Sequence, residues 1–501
     1  MPRELDASVN QRFSSRLGLL LSALGIAIGT GNIWRFPRIA AQNGGEHGAG
    51  AFLIAWLIFL LLWSIPLIIS EYALGSKYRA GVVGTITRTA GKRFAWMGAF
   101  IAFVATAITF FYSVIVGWCI YYFVHTLLSP LPQTTEAAML VWNNYQSSLW
   151  PMVTHAAAMG IGALAIWKGI SSIERVNRIL IPTLLAIVFL AVFRALTLEG
   201  AWAGVQYLFR PEWSQLLKPR IWLEALTQNA WDTGAGWGLF LTYATYMKRE
   251  HGVVKNAFTT GIGNNMISLM AALMIFGTVF AILKTEMGMS QPEILEIMKT
   301  SGPASTGLTF IWMPQLFARM LFGHPICAMF FLGLIFAGFS SLIGQLELPT
   351  RVFVDAGVKR STAICMVVGL SYLLGIPSAV NLRFLSNQDF VWGVALMISG
   401  AFVAFSVIRY GATKLRKEEL LRDPNDTQIG RWWEYVMTYF VPVAAITLLI
   451  WWLVLSATVY SPTTWFDPRD PYSVMTCIMQ WGLVIGIFLL LNQWLAARYG
   501  D

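Results

Sequence analysis

Charge is scarce in this 501-residue chain: Asp, Glu, Lys and Arg together make up 12% of it, against about 25% in soluble domains. So little charge, combined with long charge-free runs, excludes a soluble enzyme or a soluble binding module as the class. Cysteine is sparse too. The four residues Cys119, Cys327, Cys365 and Cys477 lie far apart, inside or beside apolar stretches. Their spacing excludes a disulfide framework and a thiolate metal site, and leaves them as small buried apolar residues. The five histidines are scattered, so metal chemistry has no footing, and no nucleophile–base pair speaks for an enzyme. Low-complexity tracts and long flexible linkers are missing, which argues for a single membrane domain. The N-terminal MPRELDASVNQRFSSR is polar, mixed in charge and followed by no small-residue cleavage site. It reads as a cytoplasmic tail over residues 1–16 rather than a targeting segment.

Apolar sequence is abundant instead. Hydrophobic residues form 56% of the chain and the mean hydropathy is +0.61. Twelve stretches, roughly 17–41, 50–72, 95–126, 152–168, 175–196, 222–247, 256–284, 323–349, 361–379, 388–410, 433–457 and 473–497, can each supply the ~20 apolar residues that cross a bilayer. The expected fold is an all-α integral membrane protein with twelve transmembrane helices. The formal charge of +10 is distributed by side. The loop 73–94 holds Lys77, Arg79, Arg88, Lys92 and Arg93, and loops of the same parity hold Lys168, Arg175, Arg178, Lys248, Arg249, Lys255, Arg351, Lys359 and Arg360. The loop 409–432 is also basic, whereas the loop 127–151 has no Lys or Arg. By the positive-inside rule both termini are cytoplasmic, and the basic balance is topological rather than a nucleic-acid footprint. Two outer loops are long enough for structure of their own: 197–221, and 285–322, where QPEILEIMKT reads as a short surface helix.

Two spans carry glycine in their interiors. Span 1 has Gly25, Gly29 and Gly31, and span 6 reads NAWDTGAGWG over 229–238, with Gly234, Gly236 and Gly238. Glycine weakens a helix interior by about 1 kcal/mol relative to alanine, so these clusters predict locally unwound backbone. At membrane depth such backbone is tolerated only where it is buried in protein or lines a cavity. Gly25 and Gly29 alone would fit a GxxxG packing face; Thr30, Asn32 and Arg35 beside them favour a site. Two interrupted spans at matching positions of two halves point to a secondary transporter built from inverted repeats, here about 17–196 and 222–410, with spans 11 and 12 in 411–501.

The run GTGNIWRFP (29–37), followed by NGG (43–45) and GAF (50–52), resembles the first span of the neurotransmitter:sodium symporter family, whose structural prototype is a bacterial leucine transporter. Similar matches continue in IPLIISEYALG (65–75), GISSIERVNRILIP (169–182), the region from Gln228 to Tyr246, GNN (263–265) and FAGFSSLIGQLE (336–347), so the resemblance covers all ten core spans. It implies sodium-driven, alternating-access uptake of a small amino-acid-like solute through a five-plus-five inverted repeat with unwound spans 1 and 6.

The resemblance also implies the site residues. One sodium would take the Ala27 carbonyl and the side chains of Asn32, Asn264 and Asp232. A second would take the Gly25, Ile28 and Ala337 carbonyls with the Ser340 and Ser341 hydroxyls, although those hydroxyls could equally back-bond to their own helix. The substrate would lie among Ala27, Thr30, Gly31, Ile108, Tyr112, Trp231, Asp232, Gly234, Trp237, Ser341 and Gln345, its carboxylate at the half-helix N-terminus. Arg35 and Asp389 match the outer gate, Asp355 the acid of the inner gate, and Arg12 its partner, with Phe13 in place of the usual tryptophan.

Asp232 departs from the family, which usually places Thr or Ser there. A mid-membrane aspartate costs about 2.5–3.5 kcal/mol on insertion scales and is functional by default. It could strengthen the first sodium site, replace a chloride, pair with a substrate ammonium inside a Trp231–Trp237 cage, or couple protons. The family's chloride cradle maps to Trp56, Gln228, Asp232, Asn264 and Ser268; a carboxylate there would repel an anion, so chloride independence is expected. The leading expectation is a sodium-coupled amino-acid symporter of a bacterial inner membrane, that origin following from a short second outer loop free of cysteine. The alternative is the same machinery carrying a betaine, methylated amine or other cationic solute. A non-transporting sensor or a channel would need neither a second sodium site nor a double gate. The expected partners are a small-molecule substrate and the lipid bilayer; a monomer suffices and a dimer is compatible.

Overall fold

The computed structural model describes residues 11–299 and 307–500. The first ten residues of the expected tail and Thr300 at the end of QPEILEIMKT lie outside that set. Among the described residues there are helices and no strands.

Span 1 is two helices, α1 (Arg16–Ala27) and α2 (Thr30–Asn43), bent by 49°. Ser15 starts α1 by accepting the Gly18 N–H (3.0 Å), the usual work of an N-cap serine. Spans 2 and 3 are α3 (Gly50–Tyr78) and α5 (Ala95–Leu128), joined through the short α4 (Val82–Ala90). A surface helix, α6 (Thr135–Gln146), then bends by 72° into span 4, α7 (Trp150–Ile166). Span 5 is α8 (Ile170–Leu196), and α9 (Ala201–Phe209) lies in the following loop. Span 6 consists of α10 (Pro219–Asp232) and α11 (Leu239–Ala244), separated by residues 233–238. Span 7 is α12 (Val254–Thr285). Then come α13 (Gln291–Lys299) and the apolar α14 (Leu308–Ala318). Spans 8 to 11 are α15 (Gly323–Asp355), α16 (Arg360–Val380), α17 (Leu382–Tyr410) and α18 (Trp432–Tyr460). Span 12 is α19 (Val474–Leu490), bent by 60° into α20 (Asn492–Tyr499).

Burial sorts the spans. Spans 2, 3, 7, 8 and 10 are mostly buried, while spans 5, 9 and 11 expose most of their apolar surface and form the rim of the bundle. Two outer elements were not expected from sequence. α6 forms within the loop 127–151, capped by the Thr134 hydroxyl on the Ala137 N–H (3.2 Å). α14 buries Leu308, Phe310, Ile311, Met313, Leu316 and Phe317 against the bundle; eleven residues are too short to cross a bilayer. In the outer loop between α9 and α10, Glu212 accepts the His47 N–H (3.1 Å) and the Gln215 amide (2.8 Å), bonds that hold its carboxyl below the usual range.

At the face that carries the N-terminus, segment 11–15 seals the bundle. Phe13 is fully buried, with its N–H on the Tyr246 carbonyl (3.1 Å) and its ring against Tyr243 (6.0 Å between centroids). Ser14 donates to Glu174 through its N–H (2.8 Å) and its hydroxyl (2.5 Å). Nearby, Glu347 is fully buried and accepts from Tyr246 (2.6 Å) and twice from Arg360 (3.1 and 2.5 Å). Breaking such a pair from one side leaves a buried charge uncompensated, at about 3–5 kcal/mol. Arg360→Ala should therefore lower the melting temperature sharply, and the apolar double variant Glu347→Leu/Arg360→Met should recover most of the loss in the same thermal melt.

Candidate functional site

The two breaks differ in chemistry. In span 1 the chain is extended at Ile28 (φ −78°, ψ 97°) and Gly29 (φ −105°, ψ −178°). Space at Gly29 is tight: a Cβ there would lie 3.1 Å from the Tyr112 hydroxyl and 3.2 Å from Ser341 Oγ. In span 6, Gly234, Gly236 and Gly238 have φ of 68°, 85° and 80°, the left-handed region where side chains are strained. A buried acid holds this segment in place: Glu71 of α3 accepts the Gly236 N–H (2.6 Å) and the Leu241 N–H (3.0 Å).

The break in span 1 redirects three N–H groups. That of Gly29 donates to Asn32 Oδ1 (2.8 Å), that of Thr30 to the Tyr112 hydroxyl (3.2 Å) and that of Asn32 to the Gly29 carbonyl (3.3 Å). In a continuous helix they would serve the carbonyls of Gly25, Ile26 and Ile28. Those oxygens meet α15 instead. Ser341 Oγ lies 3.3, 3.1 and 3.2 Å from the Gly25, Ile26 and Ile28 carbonyls, and Ser340 Oγ lies 3.3 Å from Ile28 and 2.9 Å from its own helix's Ala337 carbonyl. Each hydroxyl has one proton, so most of these contacts oppose two acceptors. Oxygens crowded in this way fit a hard cation.

A second cluster adjoins the span 6 break. Asn32 Nδ2 donates to Asn264 Oδ1 and Ser268 Oγ (2.8 Å each), and Ser268 donates to Asp232 Oδ2 (2.8 Å). Gln228, Asn264 and Arg35 act on the same carboxylate, whose other oxygen, Oδ1, is buried without a partner. Residues expected at the first sodium and in the chloride cradle therefore converge on Asp232. Trp56 is buried away from this network in polar terms: its indole N–H has no partner and its ring packs on Phe36 at 4.4 Å.

Of the expected substrate residues, Thr30, Tyr112 and Ser341 meet around Gly29. Ile108 and Ala27 are buried, and Gln345, one turn beyond Ser341, has a buried side-chain oxygen with no partner. Trp237 donates to the Ala230 carbonyl (3.1 Å) and meets Trp231 edge-on at 5.9 Å. A Cβ on Gly234 would face Ile26, Phe240 and Leu239. The Arg35 guanidinium covers the Trp231 ring at 4.8 Å. Arg35 and Asp389, expected at the outer gate, interact through their charges but are not in contact as an ion pair. Asp355, expected at the inner gate, pairs with Arg351 (2.8 Å) and accepts the Gly81 N–H (2.6 Å). Arg12 is not its partner here. Partial burial, then the charges of Arg79 and Arg351, push the Arg12 guanidinium below its ordinary pKa, and Phe13 with Ser14 does the latching.

Glu71 and Asn177 gained no role from sequence. An acid amid the apolar IPLIISEYALG was the available signal for the first; the second is taken up below.

Two broken helices facing each other inside a twelve-span bundle, with freed carbonyls and buried polar clusters at the breaks, define a membrane transporter of the leucine-transporter fold, a five-plus-five inverted repeat. The chain belongs to the sodium:neurotransmitter symporter family, whose model matches residues 10–148 and 143–499. An uncharacterized sodium-dependent transporter of Methanocaldococcus jannaschii is 30% identical to it over 86% of this chain and 88% of its own length. The sodium-dependent neutral amino acid transporter B(0)AT2 of Bos taurus is 25% identical over 98% of this chain and 80% of its own. Among solved structures, MhsT in complex with L-phenylalanine superposes with a TM-score of 0.75 at 27% identity, covering 88% of this chain and 99% of that one.

Proposed function

We propose that this protein is a sodium-coupled symporter that takes up an amino acid or amino-acid-like solute by alternating access across a bacterial inner membrane, with both termini cytoplasmic. The observation that carries the reading is the crowding of acceptors where Ser340 and Ser341 meet the freed carbonyls of Gly25, Ile26 and Ile28. Sodium there would tie α1 to α15, so its binding and release would be coupled to movement of the span 1 half-helix. A first sodium would sit by Ala27, Asn32, Asn264 and Asp232, next to the substrate. The substrate carboxylate would take the Tyr112 hydroxyl and the N–H groups of Thr30 and Gly31, with Ile108, Trp231, Trp237 and Gln345 around its side chain. The transport core would be residues 17–410 with repeats about 17–196 and 222–410, and one chain carries the whole site, so a monomer suffices.

Asp232 supports chloride independence, because its carboxylate sits among the Ser268, Asn264 and Gln228 side chains that would otherwise cradle an anion. The same packing weighs against the second reading, a betaine or methylated amine held by Asp232 in a tryptophan cage: the Trp231 ring is already covered by Arg35. In a thermal-shift screen of amino acids and amines on purified protein, neutral amino acids should stabilise it in sodium and not in potassium. Stabilisation by quaternary amines alone would favour the second reading, and absence of any sodium effect would overturn the proposal. If Asp232 coupled protons instead, uptake would follow the pH gradient and survive replacement of sodium.

A further inference from the structure

α8 packs against both α1 and α15, yet the sodium ligands implied by the family come only from those two. The contact is close. A Cβ on Gly25 would lie 3.0 Å from Asn177 Oδ1 and 3.2 Å from Ser340 Cβ, so the Asn177 amide ends where two of the expected sodium-binding residues meet. Asn177 is 0% exposed, and neither its Oδ1 nor its Nδ2 has a hydrogen-bond partner. Ser22, one turn before Gly25 on the same side of α1, also has a buried hydroxyl with no partner. Buried amides in native proteins are nearly always satisfied, and a wholly unpaired one at membrane depth is a functional group by default. Gly25 and Ser340, which the Asn177 amide approaches, belong to the cluster in which acceptors outnumber protons, and a cation would balance that cluster.

We propose that Asn177 is a further ligand of the second sodium, its side-chain oxygen joining those of Gly25, Ile28, Ala337, Ser340 and Ser341 from the α8 side. An amide oxygen is a neutral, strongly dipolar ligand suited to a hard cation. It would make sodium binding depend on the position of α8 as well as α1 and α15, so that displacement of any one of the three releases the ion. This inference rests on reading the Ser340–Ser341 cluster as a sodium site.

The test is a sodium titration of the melting temperature of the purified full-length protein, at constant ionic strength with potassium as the balancing ion. Asn177→Leu should remain folded in potassium but need about tenfold more sodium for half its stabilisation, and Asn177→Asp should keep or tighten sodium binding. A merely structural asparagine, or one satisfied by a water molecule alone, would move the melting temperature equally in both salts and leave the half-effect concentration unchanged; that result overturns the proposal. Should Asn177→Leu not fold, Asn177→Ser carries the same titration. Ser341→Ala separates the two claims. If it shifts the titration and the Asn177 variants do not, only the new ligand falls; if it too leaves the titration unchanged, the sodium reading of the cluster falls with it.

Discussion

Asp232→Asn is expected to raise the sodium concentration for half-maximal uptake by more than about tenfold and to make uptake depend on chloride. Two unit charges at ~4 Å interact by about 4 kcal/mol at an effective dielectric near 20, and part of that attraction vanishes when the carboxylate becomes an amide. The free Oδ1, buried without a partner, is the oxygen available to a cation beside Asn32 and Asn264. Removing the charge leaves Ser268, whose hydroxyl donates to Asp232 Oδ2 at 2.8 Å, ready to donate to an external anion. The wild-type protein should take up substrate equally well in chloride and in gluconate, whereas Asp232→Asn should lose most of its uptake in gluconate. Asp232→Glu, which keeps the charge, should depart less from wild type in its sodium dependence. Radiolabelled uptake in proteoliposomes reads all three; collapse of wild-type uptake in gluconate would show that the carboxylate does not replace the anion.

Glu71→Ala should be the most destabilising single change near the site. Past Thr233, whose N–H still reaches the Asn229 carbonyl, the helix is broken through residue 238, and Glu71 supplies acceptors to Gly236 at 2.6 Å and to Leu241, just beyond the break, at 3.0 Å. Hydrogen bonds to a charged group contribute about 1.5–3 kcal/mol each, so losing both costs on the order of 3–6 kcal/mol, a large part of a typical protein's net stability. The carboxylate is fully buried. Glu71→Gln keeps one acceptor but turns an NH2 toward a backbone N–H, and should fall between alanine and wild type. A thermal melt of Glu71→Ala within about 2 °C of wild type would refute this role, since ~1 kcal/mol already moves a large domain by 2–4 °C.

Span boundaries were legible from apolar runs because a bilayer sets helix length. Span 8, expected at 323–349, is α15 (Gly323–Asp355), longer by a turn and a half where Arg351 and Asp355 pair at the end. The break in span 6 was legible because three glycines in five residues can adopt left-handed backbone where other residues resist it. α14 was missed since eleven residues with internal Pro314 look like loop until they fold onto the outer face. The Arg12–Asp355 pair, an expectation drawn from the family, gave way to Arg351–Asp355: two residues one helical turn apart meet without ordering a distant chain segment.

By itself the sequence determined solvent and architecture: twelve apolar spans, two of them glycine-broken, and an aspartate placed where only function justifies its cost. Those properties depend on composition and local spacing, which survive in one dimension. Only the tertiary structure decided which polar atoms share a neighbourhood. It set Asp232 on Ser268, Arg35 on Trp231 rather than on Asp389, Glu71 under the span 6 break, and Asn177 against Gly25. Contacts between residues 36 to 196 positions apart depend on how spans pack, and packing is a property of the whole bundle.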